Sequence, residues 1–283
     1  MMKRLTYLAI LSFLVLGCKE TEITPQKSPD LLLSEHLTFG NPSNATTDVN
    51  NANNYLIEKP QYSLSYSKDR GTPNWVSWHI TKDWLGSAPR QDDFREDTSL
   101  PTGWYRVNED SYRGSGFDRG HNTPSADRTK TVADNSATFL MINMIPQAPN
   151  NNQQTWARLE DYTRNLVQDG DEVYVIMGSY GVGGIGSSGT RNSLDNGRVT
   201  VPSQIWKVIV ILPEGNDDVS RVTNSTRVIA VNTPNINTIS SSWGTYRTTV
   251  DAIEAATSYD LLSQLTDQIE AVLEAKTDNG PTQ

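Results

Sequence analysis

Five apolar stretches constrain the fold of this chain more than any other feature. Residues 75–80 alternate between apolar and polar side chains in the manner of a half-buried strand. Residues 138–143 have the continuous apolar character of a buried strand and are followed by the breaker Pro146. Three further runs are rich in β-branched residues, which favour extended backbone. These predicted strands are residues 173–177, 205–211 and 228–231.

Two other stretches carry apolar residues at helical spacing. Between Trp156 and Val167 this spacing predicts a helix over about residues 153–168. A second helix is predicted over residues 250–274, where apolar residues recur on one side. Several strands with few helices predict the α+β class, and the lack of an internal repeat or a long linker favours one domain.

The N-terminal residues have the composition of a processing signal. Lys3 and Arg4 precede the apolar run 5–16, which is too short to span a bilayer as a permanent helix. Gly17 and Cys18 follow this run, and Cys18 is the only cysteine of the chain. A small residue before a cysteine at this point resembles a bacterial lipobox.

This pattern predicts that residues 1–17 are a lipoprotein signal peptide and that Cys18 carries lipid. A plain secretory signal with an incidental cysteine is the alternative. Residues 18–36 are polar and predict a lipidated tether, so the folded domain is expected over residues 37–283. The protein is therefore expected outside the cytoplasm, anchored to a bacterial membrane through Cys18 or secreted, with no disulfide in its domain.

The charge balance opposes simple electrostatic binding of a polyanion. The chain carries a net charge of −9, and cleavage after Gly17 would remove two basic residues and no acid. This is the wrong sign for a protein that binds nucleic acid by releasing its counterions. A polyanionic substrate would need local positive charge. Arg113, Arg128 and Lys130 could form such a patch, or they could be ordinary surface charges.

One glycine-rich stretch could be taken for a phosphate-binding loop, but its sequence does not match that motif. Residues 178–189 contain six glycines but lack the Gly-Lys-Ser/Thr ending of a phosphate-binding loop. A mobile surface loop is predicted there.

The tetrapeptide Asp118-Arg119-Gly120-His121 is the main candidate for chemistry. It places a carboxylate, a guanidinium and an imidazole within four residues, and such a cluster can bind an anion and move a proton. The chain has three histidines. His79 lies within a predicted strand and is expected to be structural, and His36 is expected to be solvent-exposed near the tether.

A second group of polar residues lies at the start of the first predicted helix. An asparagine at the position of Asn152 is most often a helix cap, or its amide oxygen could ligate a hard cation such as Mg²⁺. Glu160 lies eight residues further on, about two turns along the helix, and is predicted to face roughly the same side as Asn152.

Taken together, these motifs resemble the secreted non-specific DNA/RNA endonucleases of the ββα-metal superfamily. The resemblance extends over about residues 37–275 and implies a ββα-metal (His-Me finger) nuclease fold, with a central antiparallel sheet flanked by helices. Three motifs carry it: Asp118-Arg119-Gly120-His121, Asn143-x-x-Pro146-Gln147 and Asn152-x3-Trp156-Ala157-Arg158-Leu159-Glu160.

The resemblance implies a metal site that uses Mg²⁺, with Mn²⁺ as the alternative ion. Asn152 is implied to be the single direct protein ligand of the metal. Glu160 and Asp118 are implied to orient its water ligands from further out. The ion is expected to stabilise the leaving 3′ oxygen.

The resemblance also implies roles in the hydrolysis itself. His121 is expected to be the general base that activates water, because the unperturbed pKa of histidine lies near operating pH. Arg119 is expected to contact the phosphate, and Arg90 to stabilise charge in the transition state. Asn143 is expected to hold the active-site geometry. Arg158 could reach the substrate or be only a solvated charge.

The implied function is hydrolysis of DNA and RNA with little sequence preference, leaving 5′-phosphate ends. A narrower phosphodiesterase, restricted to RNA or to single strands, is the alternative among enzymes. A catalytically inactive nucleic-acid-binding lipoprotein is the alternative from another class. No protein partner is evident from the sequence.

Overall fold

The computed structural model describes residues 34–283 and builds them around one large sheet. The strands inside and outside this sheet vary from two to ten residues. They are β1 (Tyr55–Lys59), β2 (Tyr62–Ser67), β3 (Thr72–Ile80), β4 (Asp118–His121), β5 (Met144–Gln147), β6 (Asp171–Tyr180), β7 (Gly184–Gly186), β8 (Gly189–Arg191), β9 (Ser193–Leu194), β10 (Val199–Thr200), β11 (Gln204–Pro213), β12 (Arg227–Pro234) and β13 (Arg247–Thr248).

Helices connect and flank these strands. The α-helices are α1 (Val132–Ala137), α2 (Ala157–Asp169), α3 (Asp218–Arg221), α4 (Val250–Thr257) and α5 (Asp267–Glu274). A π-helix, Asn151–Trp156, runs directly into α2. Short 3₁₀ helices are Glu35–Leu37, Lys82–Trp84, Glu109–Tyr112, Ser125–Asp127, Met141–Asn143, Asp195–Gly197 and Trp243–Tyr246. In the part of the chain that the structure describes, no helix is long and apolar enough to cross a membrane.

The central sheet has seven strands in the order β1-β2-β3-β6-β11-β12-β13, and every neighbouring pair is antiparallel. Both faces of its central strands are buried, because alternate side chains enter two different hydrophobic cores. In β11, for example, Ile209 belongs to the first core and Val208 to the second. Burial on both faces explains why the sequence shows continuous apolar runs at these strands.

Different helices cover the two faces. The first core contains Trp156 and Leu159, so the π-helix and the start of α2 pack on that face. The second core contains Ile253 and Leu273, so α4 and α5 pack on the other face. The hairpin β4–β5 forms a small sheet of its own and leads into the π-helix and α2. This strand–strand–helix unit is the finger that the sequence resemblance implied.

Four of the five predicted strands are confirmed, within β3, β6, β11 and β12. The strand predicted at residues 138–143 is wrong: Met141–Asn143 is a 3₁₀ helix, and the strand begins at Met144. Phe139, Met141 and Ile142 are all buried. Apolar periodicity over so few residues reports burial and does not distinguish a strand from a helical turn.

The helix predicted near residues 153–168 is confirmed in place, but the single helix predicted over 250–274 is wrong. Helix α4 ends at Thr257, Ser258 has a left-handed φ of 61°, and α5 begins only at Asp267. Leu261 lies in the intervening segment and is fully buried. Its apolar side chain packs into the second core, which made the segment look like a continuous amphipathic helix.

The glycine-rich stretch is not a free loop. It contains β7 and the start of β8, which pair as a hairpin. The amide of Ile185 donates to the carbonyl of Asn235 at 2.9 Å, and the amide of Ser187 donates to that of Gly116 at 2.9 Å. The prediction of a mobile surface loop is therefore wrong.

His36 is buried, so the prediction that it is solvent-exposed is wrong. Its Nε2 lies 2.9 Å from the carbonyl oxygen of Pro60, and its 3₁₀ helix packs on β3. The structural role predicted for His79 is confirmed, because its Nε2 lies 2.9 Å from Glu172 Oε2 and its ring stacks on Tyr174 at 4.1 Å. Residues 1–17, Cys18 and most of the predicted tether lie outside the described residues.

Candidate active site

Strand β4 carries the Asp-Arg-Gly-His motif along one edge of the finger. Alternate side chains of a strand point to opposite faces, so Arg119 and His121 share a face. Gly120 faces the partner strand β5, where an added Cβ would lie 2.6 Å from the Cβ of Gln147. The glycine of the motif is therefore required by close packing within the hairpin.

His121 lies in an aromatic enclosure next to two arginines. Its ring meets Phe139 edge-on at 4.9 Å and is tilted against Phe94 at 5.6 Å, and the guanidinium of Arg119 covers the same Phe94 ring at 3.8 Å. Its Nε2 is buried and has no hydrogen-bond partner among residues 34–283. Burial, Arg90 and Arg119 lower the pKa of His121 to about 3. The imidazole is therefore neutral near pH 7 and has a lone pair available for a proton.

Arg90 lies in the long segment after β3 and packs on Phe139, the ring that also contacts His121. Its guanidinium lies over the Phe139 ring at 4.8 Å. Its Nε donates to Asp92 Oδ1 and its Nη1 to Ser125 Oγ, both at 2.7 Å. These contacts leave Nη2 available to a phosphate oxygen.

A polar cavity of about 520 Å³ opens in front of these residues. Three arginines and three acids line it, so their formal charges balance, and a phosphate would be held by individual arginines and not by a net positive charge. These residues are Arg90, Arg113, Arg119, Asp92, Glu109 and Asp118, and Asn152 and Gln153 complete its polar lining.

Only part of the predicted basic patch contributes to this cavity. Arg113 lines it, whereas Lys130 is exposed elsewhere. Arg128 is fully buried, stacks on Trp84 at 4.1 Å and donates to the backbone carbonyl of His79 at 3.0 Å. Arg128 is therefore a structural residue that cannot reach a substrate.

Asn152 and Asp118 form the polar end of the cavity. The Nδ2 of Asn152 donates to Asp118 Oδ2 at 2.8 Å, and the side-chain amide of Gln153 donates to the same oxygen at 2.8 Å. The side chain of Asn152 does not cap the helix. With its nitrogen used in this way, its Oδ1 is left free, and an amide oxygen beside a carboxylate is a suitable donor set for a hard cation.

The π-helix brings Asn152 closer to the side of Glu160 than an α-helix would. Eight residues of α-helix rotate by about 80° beyond two full turns. A π-helix closes its hydrogen bonds between residues i and i+5 and therefore rotates less per residue. Because Asn151–Trp156 is a π-helix, part of this excess rotation is removed. Such segments are often found at functional sites.

Glu160 does not line the cavity and pairs with a buried lysine. Its Oε1 is 3.4 Å from the Nζ of Lys207, which lies over the rings of Trp78 and Trp156 at 5.5 and 5.0 Å. Burial raises the pKa of Glu160, and the positive charges of Lys207 and Arg164 oppose this rise. Within the described chain, no hydrogen bond joins Glu160 to Asn152 or Asp118.

Four of the predicted site residues do not line the cavity: His121, Glu160, Asn143 and Arg158. His121 lies next to it, against the ring of Phe94, which does line it. Asn143 is fully buried, and its side chain donates to the carbonyls of Thr123 and Thr138 at 2.9 Å and accepts from the amide of Thr123 at 3.0 Å. It fixes the chain just after His121 and cannot touch substrate, so it is a positioning residue and not a catalytic one. Arg158 is exposed and lines a separate surface cavity with Trp243, which argues against its predicted substrate contact.

Sequence reasoning missed Lys207 as a partner of the site. Lys207 lies within the apolar run 205–211, where a charged residue is unusual. A lysine in a strand that is buried on both faces needs a partner of opposite charge. This signal was available in the sequence, although the identity of the partner was not.

Comparison with known proteins agrees with this arrangement. Residues 40–268 match the family model described as DNA/RNA non-specific endonuclease. A nuclease of Nostoc sp. is 45% identical over 273 residues, which cover 96% of this chain and 97% of its own length. Nuclease C1 of Cunninghamella echinulata var. echinulata is 34% identical over 190 residues, or 64% of this chain and 71% of its own length.

A solved structure supports the fold. One chain in a crystal structure of the EndoG/EndoGI complex superposes with a TM-score of 0.66 at 23% identity, covering 85% of this chain and 94% of its own length. The likeness confirms the predicted ββα-metal class with its central antiparallel sheet. The chain thus belongs to the DNA/RNA non-specific endonuclease family and is an endonuclease.

Proposed function

We propose that this protein is a Mg²⁺-dependent endonuclease that hydrolyses both DNA and RNA and leaves 5′-phosphate ends. The observation that carries the proposal is the position of His121 next to Arg90 and Arg119, with its Nε2 buried and without a hydrogen-bond partner among residues 34–283. A histidine with this environment can accept a proton but cannot help to hold an anion by charge. The arginines of the cavity would do that instead.

The arginines would bind the scissile phosphate and stabilise the charge that grows on it. The guanidinium of Arg119 is held by its stacking on Phe94, and that of Arg90 by Phe139 and Ser125. Donors that are fixed in place before the reaction stabilise a transition state more than donors that must reorganise. Planar guanidinium groups also match phosphate oxygens in a bidentate manner.

His121 would remove a proton from the attacking water. The water oxygen forms a bond to phosphorus, the bond from phosphorus to the 3′ oxygen breaks, and the proton of the water goes to the imidazole. The bound phosphate offsets the two positive charges that depress the pKa of His121, so the imidazole becomes a stronger base when substrate is present.

Asn152 would hold Mg²⁺ through its Oδ1, and Asp118 beside it would orient the water ligands of the ion. The bound ion would stabilise the negative charge on the leaving 3′ oxygen. Glu160 would orient water ligands of the ion, and the positive charge of Lys207 favours its ionised form against the effect of burial. Mn²⁺ has similar oxygen chemistry and is the alternative ion.

The proposal is tested by cleavage of duplex DNA, single-stranded DNA and RNA with Mg²⁺ and with EDTA. We expect cleavage of all three substrates with Mg²⁺ and none with EDTA, and 5′-phosphates on the products. Asn152→Ala should raise the Mg²⁺ concentration for half-maximal rate by about tenfold or more, because even outer residues of metal sites change affinity by that factor.

Gln153→Ala is the matched control for Asn152→Ala. It removes the other amide that donates to Asp118 but no proposed ligand, so its Mg²⁺ requirement should shift less. An Asn152→Ala variant with an unchanged Mg²⁺ requirement would contradict the ligand role. Cleavage of RNA or single strands alone would support the narrower phosphodiesterase, and binding without any cleavage would support the inactive binding protein.

We also propose that the protein is lipidated at Cys18 and lies outside the cytoplasm, on a bacterial membrane. The support is the signal-like sequence that ends at Gly17. In a bacterial host, the wild type should fractionate with membranes and Cys18→Ser should be released in soluble form, as measured by immunoblotting and by mass spectrometry of the N-terminal peptide. A wild type without lipid on this peptide would sink the proposal and favour plain secretion.

A further inference from the structure

Helices α4 and α5 bring acidic residues together on the face of the sheet opposite the finger. Asp251 and Glu254 are three residues apart on α4, and Glu270 and Glu274 are four apart on α5, so each pair shares a helix face. One carboxylate oxygen from each of Asp251, Glu254 and Glu274 lies within 4.8 Å of the other two. This acidic cluster is separate from the proposed catalytic metal site.

The burial of Glu274 distinguishes this cluster from ordinary acidic residues on a protein surface. It is only 7% exposed, and its Oε1 is buried without a hydrogen-bond partner among the residues described. The side chain points into the group formed by Asp251 and Glu254. A buried carboxylate oxygen without a partner is costly, and native proteins contain few of them.

The charge of the cluster is not balanced by the protein. Between residues 34 and 283, no lysine or arginine forms an ion pair with Asp251, Glu254, Glu270 or Glu274. Among the same residues, the only hydrogen bond to the carboxylate of Glu254 comes from the amide of Leu261, at 2.6 Å. Burial and the carboxylates of Glu254 and Glu270 also raise the pKa of Glu274 to about 8.

We propose that Asp251, Glu254 and Glu274 form a structural Ca²⁺ site that joins α4 to α5. Ca²⁺ accepts six to eight oxygen ligands in flexible geometry, including monodentate and bidentate carboxylates, and waters can complete its shell at the exposed side of Asp251. Mg²⁺ fits less well, because it demands near-ideal octahedral geometry and usually keeps several waters. Glu270 contributes charge next to the site.

The bound ion would stabilise the C-terminal helices and leave the chemistry untouched. Ile253 and Leu273, next to the proposed ligands, pack into the second core. The finger packs against the first core. Loss of the ion should therefore lower the melting temperature before it changes the nuclease rate.

The test is thermal unfolding of the full-length Asn152→Ala variant with CaCl₂ or with NaCl at equal ionic strength. This background weakens the catalytic metal site, so a response to Ca²⁺ reports the new site. At Ca²⁺ about 100-fold above Kd, binding to the folded state should raise Tm by roughly 5–10 °C. Titration calorimetry with CaCl₂ should find one bound ion.

Glu274→Gln in the same background should abolish the rise in Tm that Ca²⁺ causes in its parent. At pH 9, where the carboxylate of Glu274 is ionised, the variant without Ca²⁺ should unfold at a higher temperature than its parent, because a repelling charge is removed, and its response to Ca²⁺ should disappear. Asp251→Asn should weaken the response, and the matched control Glu58→Gln, an exposed acid on β1, should leave it unchanged. No Ca²⁺ response in the parent, or an equal response in Glu274→Gln, would overturn the proposal.

Discussion

Replacing His121 with alanine is expected to lower kcat by about 10²–10⁴, the usual contribution of a positioned general base. Substrate affinity should change little, because Arg90 and Arg119 are held by contacts with Phe139, Ser125 and Phe94 that do not involve the imidazole. A loss in kcat with unchanged binding is the signature of an interaction made only in the transition state. Single-turnover cleavage and a separate binding titration would measure the two effects.

The matched control for this variant is His79→Gln. His79 is also a buried histidine, but it stacks on Tyr174 and pairs with Glu172 on the opposite side of the sheet from the cavity. That variant should be less stable and keep its kcat at temperatures well below its Tm. Should His121→Ala lose affinity and keep kcat, His121 would be a binding residue and the assignment of the base would fail.

The dependence of kcat/KM on pH gives a second readout of His121. A general base is active when it is unprotonated, and the pKa of His121 in the free protein is lowered to about 3. The active form therefore persists as pH falls from 8 to 5, and no loss of kcat/KM from this group is expected in that range. Arg90→Gln removes one cause of the lowered pKa, so the acid limb of its profile should move to higher pH whatever its absolute rate.

The parts of the site that could be predicted from the sequence are those fixed by local structure. Arg119 and His121 lie two residues apart, so once β4 is a strand they share a face. Three of the four confirmed strands were predictable because burial on both faces demands apolar residues throughout, and the fourth, β3, because apolar and polar residues alternate along it. The likeness of spaced motifs to a known family supplied the rest of the fold.

Long-range contacts and unusual backbone could not be predicted in this way. The π-helix at Asn151–Trp156 cannot be recognised from the spacing of apolar side chains. The sequence therefore predicts the wrong rotation about the helix axis between Asn152 and Glu160. His36 is polar and lies next to a polar segment, yet it is buried because its 3₁₀ helix packs on β3. The acidic net charge also gives no indication that the fold brings three arginines together in one cavity.

Replacing Lys207 with methionine should strongly destabilise the fold. Lys207 is buried, with 2% of its side chain exposed, and its partner Glu160 is 18% exposed. Removing one partner of a buried ion pair costs about 3 kcal/mol or more, because the other charge is left without compensation. For a domain of this size that corresponds to a fall in Tm of roughly 6–12 °C, measurable by calorimetry.

The double variant Lys207→Met/Glu160→Gln separates the charge effect from lost packing. It removes both charges and retains most of the volume, so it should recover much of the stability lost in Lys207→Met. Simple additivity of the two single variants would show that the residues do not interact.

The variants also test the proposed role of Glu160, because losing the positive charge of Lys207 raises the pKa of Glu160 further. If ionised Glu160 supports the metal site, the acid limb of nuclease activity should move to higher pH in Lys207→Met, whereas Glu160→Gln should lose activity at every pH.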